Sequence, residues 1–508
     1  MKATGVLCVV CMALVGDRAP HGAPIFVEDT ASRACFRPEA NDLGLIFGGG
    51  TLKLASLRPD GGAGQELNGN YRESVKSQKD SDKNSMNSVP TETKSVSGSE
   101  AEEIKRCLLP LPHEISVGHK VVLAPGDIGI RLRKTAGPAE RNTVAQLRQL
   151  FKEQAGVEAT GDKFEILVGL IDNDGAIDGI KPDNAERLKE VPNNEQAYLI
   201  QPVQENRLIV GALSEKGLLY GVTTLCQLIE ANITKEAVSI PLVSVLDWPD
   251  FDDRGFWHMP RPMPLQDIPW MASLKLNKFH CATNFDVLPD NKPVPQITPY
   301  FQKEPAGEKE WSIPFDEALS RGVEVIPGIV HMDFFESGSN GFTSTYPELI
   351  GKGERPKSGA FERTKYRAPC ASNPRLIEIL TELMTNIASW GVSTVYVWTT
   401  EYPGGQCECE ACVKEGQFQA EVRSALTAWR NVRKTYPELK LGLFFGAGGF
   451  TPGEKWFPDY PKEAVDEILA TLPKEVRMCV SLGIDDDVLK DYVDQGGLVT
   501  RCFIVSLS

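Results

Sequence analysis

From Asp250 onward the chain alternates short, nearly continuous apolar runs with longer stretches in which apolar residues recur every three or four positions. The runs Gly255–His258, Lys278–Thr283, Val323–Val330, Thr394–Thr400, Leu439–Phe445, Arg477–Leu482 and Leu498–Val505 have the length and β-branched content of buried strands. Between them lie QDIPWMASLKL, FDEALSRG, PRLIEILTELMTNIASWG, QAEVRSALTAWRNVRKT, PKEAVDEILATL and DDVLKDYVDQGG, each with helical spacing. Strand–helix alternation predicts a parallel sheet with crossover helices. The expected fold class is α/β, a TIM-type (β/α)8 barrel over residues 251–508. Seven strands are visible in the pattern, so the barrel is expected to be incomplete near its last strand.

Upstream the rhythm differs. LPLPHEISVGHKVVLAPGDIGIRL reads as short strands and turns, followed by a helix over 139–154. KFEILVGLI, AYLIQPV and RLIVGAL read as further strands. A second helix runs through GLLYGVTTLCQLIEA, with Ser214 as its N-cap. These elements predict a small α+β domain over 107–250. Residues 23–106 are expected to be mostly disordered leader and linker, because SVKSQKDSDKNSMNSVPTETKSVSGSEAEE offers too little apolar surface to offset ordering. Residues 1–22 carry one lysine, the run GVLCVVCMALVG and then small and polar residues, which fits a secretory signal peptide and a secreted or periplasmic protein. That run is too short to span a bilayer.

Composition narrows the function classes. The chain has 508 residues, with 54 basic and 69 acidic side chains and a formal charge of −15. An acid excess of that size argues against a nucleic-acid partner, which needs a basic face. Twelve cysteines in 508 residues do not make a disulfide scaffold.

Candidate chemistry concentrates in VYVWTTEYPGGQCECEAC, residues 395–412. A buried strand gives way to a loop at a carboxylate, Glu401, flanked by Trp398 and Tyr402. Barrel enzymes keep their reacting groups at that end of a strand. Leaving-group oxygens of glycosides are poor bases, so a protonated carboxyl beside them promotes cleavage, and burial between aromatics raises its pKa as that role needs. Asp286 and Asp333 follow other predicted strands and are candidates for a second carboxylate, with Glu336 nearby; His331 ends the third strand on the same side. Trp257, His258 and Arg261 follow the first strand and offer an aromatic platform for a sugar. Cys407, Cys409 and Cys412 supply three thiols where structural zinc takes four. Cys370, distant in sequence, precedes the helix that leads into the same strand. Disulfides or free thiols are the expected state, and no metal or cofactor is expected. GAGGF at 446–450 lacks a P-loop lysine.

The order of motifs from about residue 107 to 412 resembles glycoside hydrolase family 20, the β-N-acetylhexosaminidases. GLLYGVTTLCQLI and IPLVSVLDWPDFDDRGF look like the end of that family's small domain and the first barrel strand. LKLNKFH, RGVEVIPGI and CASNPRLIEILTELM look like the second strand, the third, and the approach to the fourth. The resemblance implies a carbohydrate substrate, Arg254 as a binder of sugar hydroxyls and Glu401 as general acid. An arginine fork suits a vicinal diol. One departure stands beside the acid: the family has an aspartate there that orients the substrate's 2-acetamido group, and this chain has Thr400. Threonine accepts and donates hydrogen bonds but brings no negative charge to a developing oxazolinium. The sequence therefore leaves three readings open: a hexosaminidase-like glycosidase, a non-catalytic carbohydrate-binding protein on a degenerate barrel, and a barrel hydrolase acting on uronic acids.

Overall fold

A computed structural model describes residues 7–11, 46–47, 50–51, 91–204, 206–258, 267–287, 290–297, 315–329, 342–354, 367–399, 407–445, 462–480 and 486–505. Strand β1 is Leu7–Cys11, and β2 (Ile46–Phe47) and β3 (Gly50–Thr51) form a minimal antiparallel pair.

The small domain follows. It comprises β4 (Glu92–Ser95), α1 (Gly98–Arg106), β5 (Glu114–Leu123), β6 (Ile128–Leu132), α2 (Pro138–Ala155), β7 (Phe164–Leu170), β8 (Tyr198–Gln204), β9 (Arg207–Ala212), α3 (Glu215–Glu230) and β10 (Val238–Asp247). Seven strands form one sheet in the order β4-β5-β10-β8-β9-β7-β6. Side-chain alternation sends Leu208 and Val210 of β9 into the core with Leu147 and Phe151 of α2 and Leu225 of α3, while Ile209 turns to a second apolar cluster with Leu188 and Leu246. Ser214 caps α3, its Oγ accepting from the N–H groups of Lys216 (3.2 Å) and Gly217 (3.3 Å). The polar stretch expected as linker is ordered from residue 91: β4 pairs antiparallel with the edge of β5, and Ser97 caps α1, which buries Ile104. Pairing with β5 and the burial of Ile104, rather than its own composition, hold residues 92–106.

The second part contains β11 (Arg254–His258), α4 (Asp267–Ser273), β12 (Lys278–Val287), β13 (Pro293–Ile297), α5 (Phe315–Ser320), β14 (Glu324–Ile329), α6 (Phe342–Thr345), α7 (Pro374–Ser389), β15 (Thr394–Trp398), α8 (Glu410–Glu415), α9 (Gln417–Val432), β16 (Lys440–Phe445), α10 (Lys462–Thr471), β17 (Arg477–Val480), α11 (Asp486–Asp494) and β18 (Leu498–Val505). The strands form a curled, mainly parallel sheet in the order β11-β1-β18-β17-β16-β15-β14-β12-β13, and β11 also pairs with β12. The parallel pairings thus run through eight strands and return to β11, with β13 added antiparallel to β12. The eighth parallel strand comes from the run expected as a leader: Leu7–Cys11 lies between β11 and β18, parallel to both.

Helices cover the outer face. In α7, Leu376, Ile379, Leu380, Leu383, Met384 and Ile387 are fully buried at helical spacing and pack with Val395 and Val397 of β15 and with α9. Each such side chain contributes about 1.5–3 kcal/mol of burial. Asn373 caps the helix through the N–H of Arg375 (3.0 Å).

Candidate active site and cysteine cluster

Because Val395 and Val397 face the helices, Thr394, Tyr396 and Trp398 face the other side of the curled sheet. Gly442 on β16 makes room for this: a Cβ there would come within 2.3 Å of the Tyr396 ring. At the C-terminal end of β15, Trp398 lies against its register partner Phe444, with ring centroids 4.0 Å apart and planes at 44°. Thr399 then fixes the departing chain, since both its N–H (3.0 Å) and its Oγ1 (3.1 Å) donate to the Phe444 carbonyl. The chain thereby leaves β15 on a buried aromatic pair and a doubly anchored threonine. Thr400, Glu401 and Tyr402 lie outside the described residues, as do His331, Asp333, Glu336, Arg261 and the loop 446–450. Asp286 lies in β12 opposite Val294, and its side chain, like those of Trp257 and His258, is outside the description.

Arg254 has partners other than those its expected role requires. It opens β11 rather than closing it, and its guanidinium faces the junction with the small domain. Nε (3.2 Å) and one terminal nitrogen (2.8 Å) donate to the Lys275 carbonyl; the other terminal nitrogen donates to the carbonyls of Phe251 (2.6 Å) and Asp252 (3.3 Å) and to Gln196 Oε1 (3.1 Å). The group also stands 5.2 Å from the centre of the Tyr220 ring. Its guanidinium thus makes five hydrogen bonds to protein acceptors at the strand's N-terminal end.

The N-terminal ends of the parallel strands hold a charged network that sequence reasoning missed. Lys278 bridges Asp253 (3.4 Å) and Glu324, and Arg477 reaches Asp253 (3.2 Å) and Thr500 Oγ1 (3.3 Å). Burial pushes the Asp253 carboxyl up, but Lys278 and Arg477 outweigh it and hold the group below its usual range. The same balance, with Lys278 dominant, lowers Glu324. Two residues beyond Lys278 on β12 sits His280, 3% exposed and edge-on to Tyr396 at 4.9 Å. Burial drives its imidazole down to about 4, so the ring is neutral. Groups at this end of a parallel barrel serve stability rather than chemistry. Their signal in the sequence was a single charged residue at or just before each strand's start.

The four cysteines gather at one place. Cys370, Cys407, Cys409 and Cys412 carry sulfurs that all lie within 4.8 Å of one another, and each is a free thiol. Cys407 Sγ accepts the Lys352 N–H (3.3 Å), and Cys409 Sγ accepts the Cys412 N–H (3.4 Å). Cys412 Sγ lies 3.2 Å from Ser372 Oγ. The fourth cysteine, far away in sequence, arrives because the segment before α7 pairs with the turn at 349–350.

Residues 105–248 match the family model described as glycosyl hydrolase family 20, domain 2. This segment is a family 20 domain. No curated protein matches the chain. Among solved structures, the GH20 exo-β-N-acetylglucosaminidase of Vibrio harveyi superposes with a TM-score of 0.51 at 16% identity, over 81% of this chain and 62% of that one. The chitobiase of Flavobacterium johnsoniae gives 0.50 at 15% identity, over 78% and 58%. The β-N-acetylhexosaminidase of Streptomyces coelicolor A3(2) gives 0.50 at 13%, over 78% and 75%. The chain therefore shares their fold, while spanning less than two thirds of the Vibrio and Flavobacterium proteins.

The family 20 domain is locked to the curled sheet by a buried cluster. Lys275, between α4 and β12, sends Nζ to Tyr198 OH (2.7 Å) and to Asp247 Oδ2 (3.3 Å). Tyr198 donates to Asp247 (2.7 Å), and His113, stacked on Trp248, bonds the other carboxylate oxygen through both its ring and its backbone N–H (3.1 Å each). Burial pushes Lys275 down to about 8 against the pull of Asp247. Asp247 itself is lowered, because Lys275, Tyr198 and His113 together outweigh its own burial.

Proposed function

We propose that the chain is a glycoside hydrolase of the β-N-acetylhexosaminidase-like kind, cleaving terminal sugars from oligosaccharides or glycoconjugates on a (β/α)8 barrel. The observation that carries this is the family 20 domain at residues 105–248, followed directly by a curled parallel sheet with the fold of GH20 enzymes. A carboxylate, Glu401, stands three residues past the Trp398–Phe444 pair that ends β15. In this reading Glu401 protonates the glycosidic oxygen as the bond to the anomeric carbon breaks. Trp398 and Tyr402 supply the apolar surroundings that keep its carboxyl protonated, and the sugar ring stacks on aromatic surface near the strand end. His331, Asp286 and Asp333 remain candidates for substrate contact. With Thr400 in place of the family's aspartate, either the 2-acetamido group acts with another residue orienting it, or Asp333 or Asp286 serves as the second carboxylate.

The test is a panel of aryl glycosides with and without a 2-acetamido group, run on the wild type and on Glu401→Gln. The reading requires cleavage of at least one member and loss of at least about 100-fold in the variant, with an unchanged fold by circular dichroism. Full activity in Glu401→Gln on every cleaved glycoside would remove Glu401 from the mechanism. Thr400 and the junction role of Arg254 favour one alternative, a carbohydrate-binding protein without hydrolysis, which predicts binding of sugars but no cleavage anywhere in the panel. Export is part of the proposal too. It requires the mature protein to begin after the apolar run, whereas a retained Leu7–Cys11 strand requires that run to be present, so sequencing the mature N-terminus separates the two.

A further inference from the structure

We infer that Cys370, Cys407, Cys409 and Cys412 form a structural zinc site that anchors the segment following β15. The geometry carries this. A tetrahedral zinc with bonds of about 2.3 Å to four thiolates places the sulfurs about 3.8 Å apart. Cys370 Sγ lies 3.7 Å from Cys409 Sγ and 3.9 Å from Cys412 Sγ, and all four sulfurs fall within 4.8 Å of one another. Disulfides would instead draw the sulfurs into two pairs at about 2.05 Å, leaving the pairs apart. The four here form one compact group around a common centre.

The surroundings fit thiolates. Backbone N–H groups of Lys352 and Cys412 point at Cys407 and Cys409, and Ser372 Oγ stands beside Cys412. Hydrogen bonds of this kind orient ligands and offset the charge of a four-thiolate site. Cys407 and Cys412 are buried, and Cys370 and Cys409 are half-buried, as in a closed site with no position left for substrate or water. On loading, zinc displaces the four thiol protons to solvent and no electron is transferred. Four soft sulfur donors in a tetrahedron select zinc over calcium or magnesium.

The site ties three pieces of chain together. Cys370 leads into α7, Cys409 is the N-cap of α8, and Cys407 is held to the 351–353 turn by the Lys352 N–H and by the Glu408 N–H donating to the Lys352 carbonyl (2.8 Å). Thr399 is held by the Phe444 carbonyl, and Cys407 would be held by the metal. The effect on catalysis rests on the assignment of Glu401 made above; the metal site does not.

Protein purified without chelator should contain one zinc per chain by inductively coupled plasma mass spectrometry. Treatment with an organomercurial should release that zinc stoichiometrically, read with a metallochromic dye, as four thiols are consumed. Cys370→Ser and Cys412→Ser should each retain less than a tenth of the zinc. A reading independent of any variant's folding comes from cobalt exchanged into the wild type, which should give the intense visible bands of a tetrahedral thiolate complex. Zinc-free protein with four titratable thiols, two mapped disulfides among these cysteines, or iron in place of zinc would each overturn the assignment. Loss of zinc without loss of glycosidase activity would leave the site standing and remove only its role in holding Glu401.

Discussion

Acid should begin to destabilise this protein before its carboxylates titrate, and His280 is the reason. Its imidazole is 3% exposed, and the four charges nearest it, Asp253, Lys278, Glu324 and Arg477, are balanced in sign, so burial decides. In the folded protein its pKa is about 4, against 6.5 for the free group. A group whose folded pKa is depressed gives stability that is present above the unfolded value and is lost as pH falls toward the folded one. The window is therefore pH 6.5 down to 4. Each pKa unit corresponds to about 1.4 kcal/mol, so the full loss is on the order of 3 kcal/mol, of which about 2 kcal/mol is gone by pH 5. Domains have only about 5–15 kcal/mol in total. Asp253 and Glu324, both lowered, add their losses only below their ordinary values of 3.8 and 4.5. His113 acts in the opposite direction: Asp247 and Asp250 raise its pKa, so it contributes stability below pH 6.5 that fades as pH rises through its raised value. The assay is urea denaturation at pH steps from 7 to 5 in a His113→Asn background, comparing His280 with His280→Gln. The parent should lose about 2 kcal/mol over that range and the glutamine variant almost none. Equal slopes in the two proteins would refute the argument, whatever their stabilities at pH 7.

Two further substitutions test the frame around the site. Gly255→Ala places a Cβ 1.9 Å from the Lys278 carbonyl, a backbone atom that cannot swing aside, so β11 and β12 must separate; a loss of about 3 kcal/mol or more is expected by thermal or urea unfolding, and a change under about 0.5 kcal/mol would contradict the close pairing. Asp247→Asn leaves Lys275 charged and buried, costing about 3–5 kcal/mol at pH 7. Since Lys275 titrates below its unfolded value of 10.5, the variant should regain stability between pH 8 and pH 10, and a flat profile there would argue against a buried ammonium.

Most of the second part was legible because buried parallel strands are almost uninterrupted apolar runs. Leu498–Val505 matches the expected strand residue for residue, and Thr394–Trp398 and Arg477–Val480 match to within two residues. β13 was not legible: Pro293 and Pro295 mask a strand that only its antiparallel neighbour reveals. Nor was Leu7–Cys11, because an apolar run at a chain's start has the same composition whether it is a leader or a strand. At the site, Trp398 stands at the strand end as the pattern implied. The partners of Arg254 were not legible, since sequence shows that an arginine starts a strand but not which carbonyls surround its fork. Cys370 was visible as the distant fourth cysteine, but not its place: it lies 37 positions before Cys407, and the pairing of the segment before α7 with the turn at 349–350 brings the two together.

The cluster at the junction bears on modularity. Tyr198 and Asp247 belong to one fold unit and Lys275 to the other, and dividing the chain near residue 250 leaves Tyr198, His113 and Asp247 bonded to one another but strips Lys275 of both its partners. A fragment carrying only the later strands would present a lysine shaped for an absent carboxylate, and the earlier fragment a carboxylate shaped for an absent lysine. The segment matched by the family model thus meets the later strands through a buried ion pair rather than through apolar contact alone. Engineering that swaps this domain between proteins has to transplant the lysine's loop along with it.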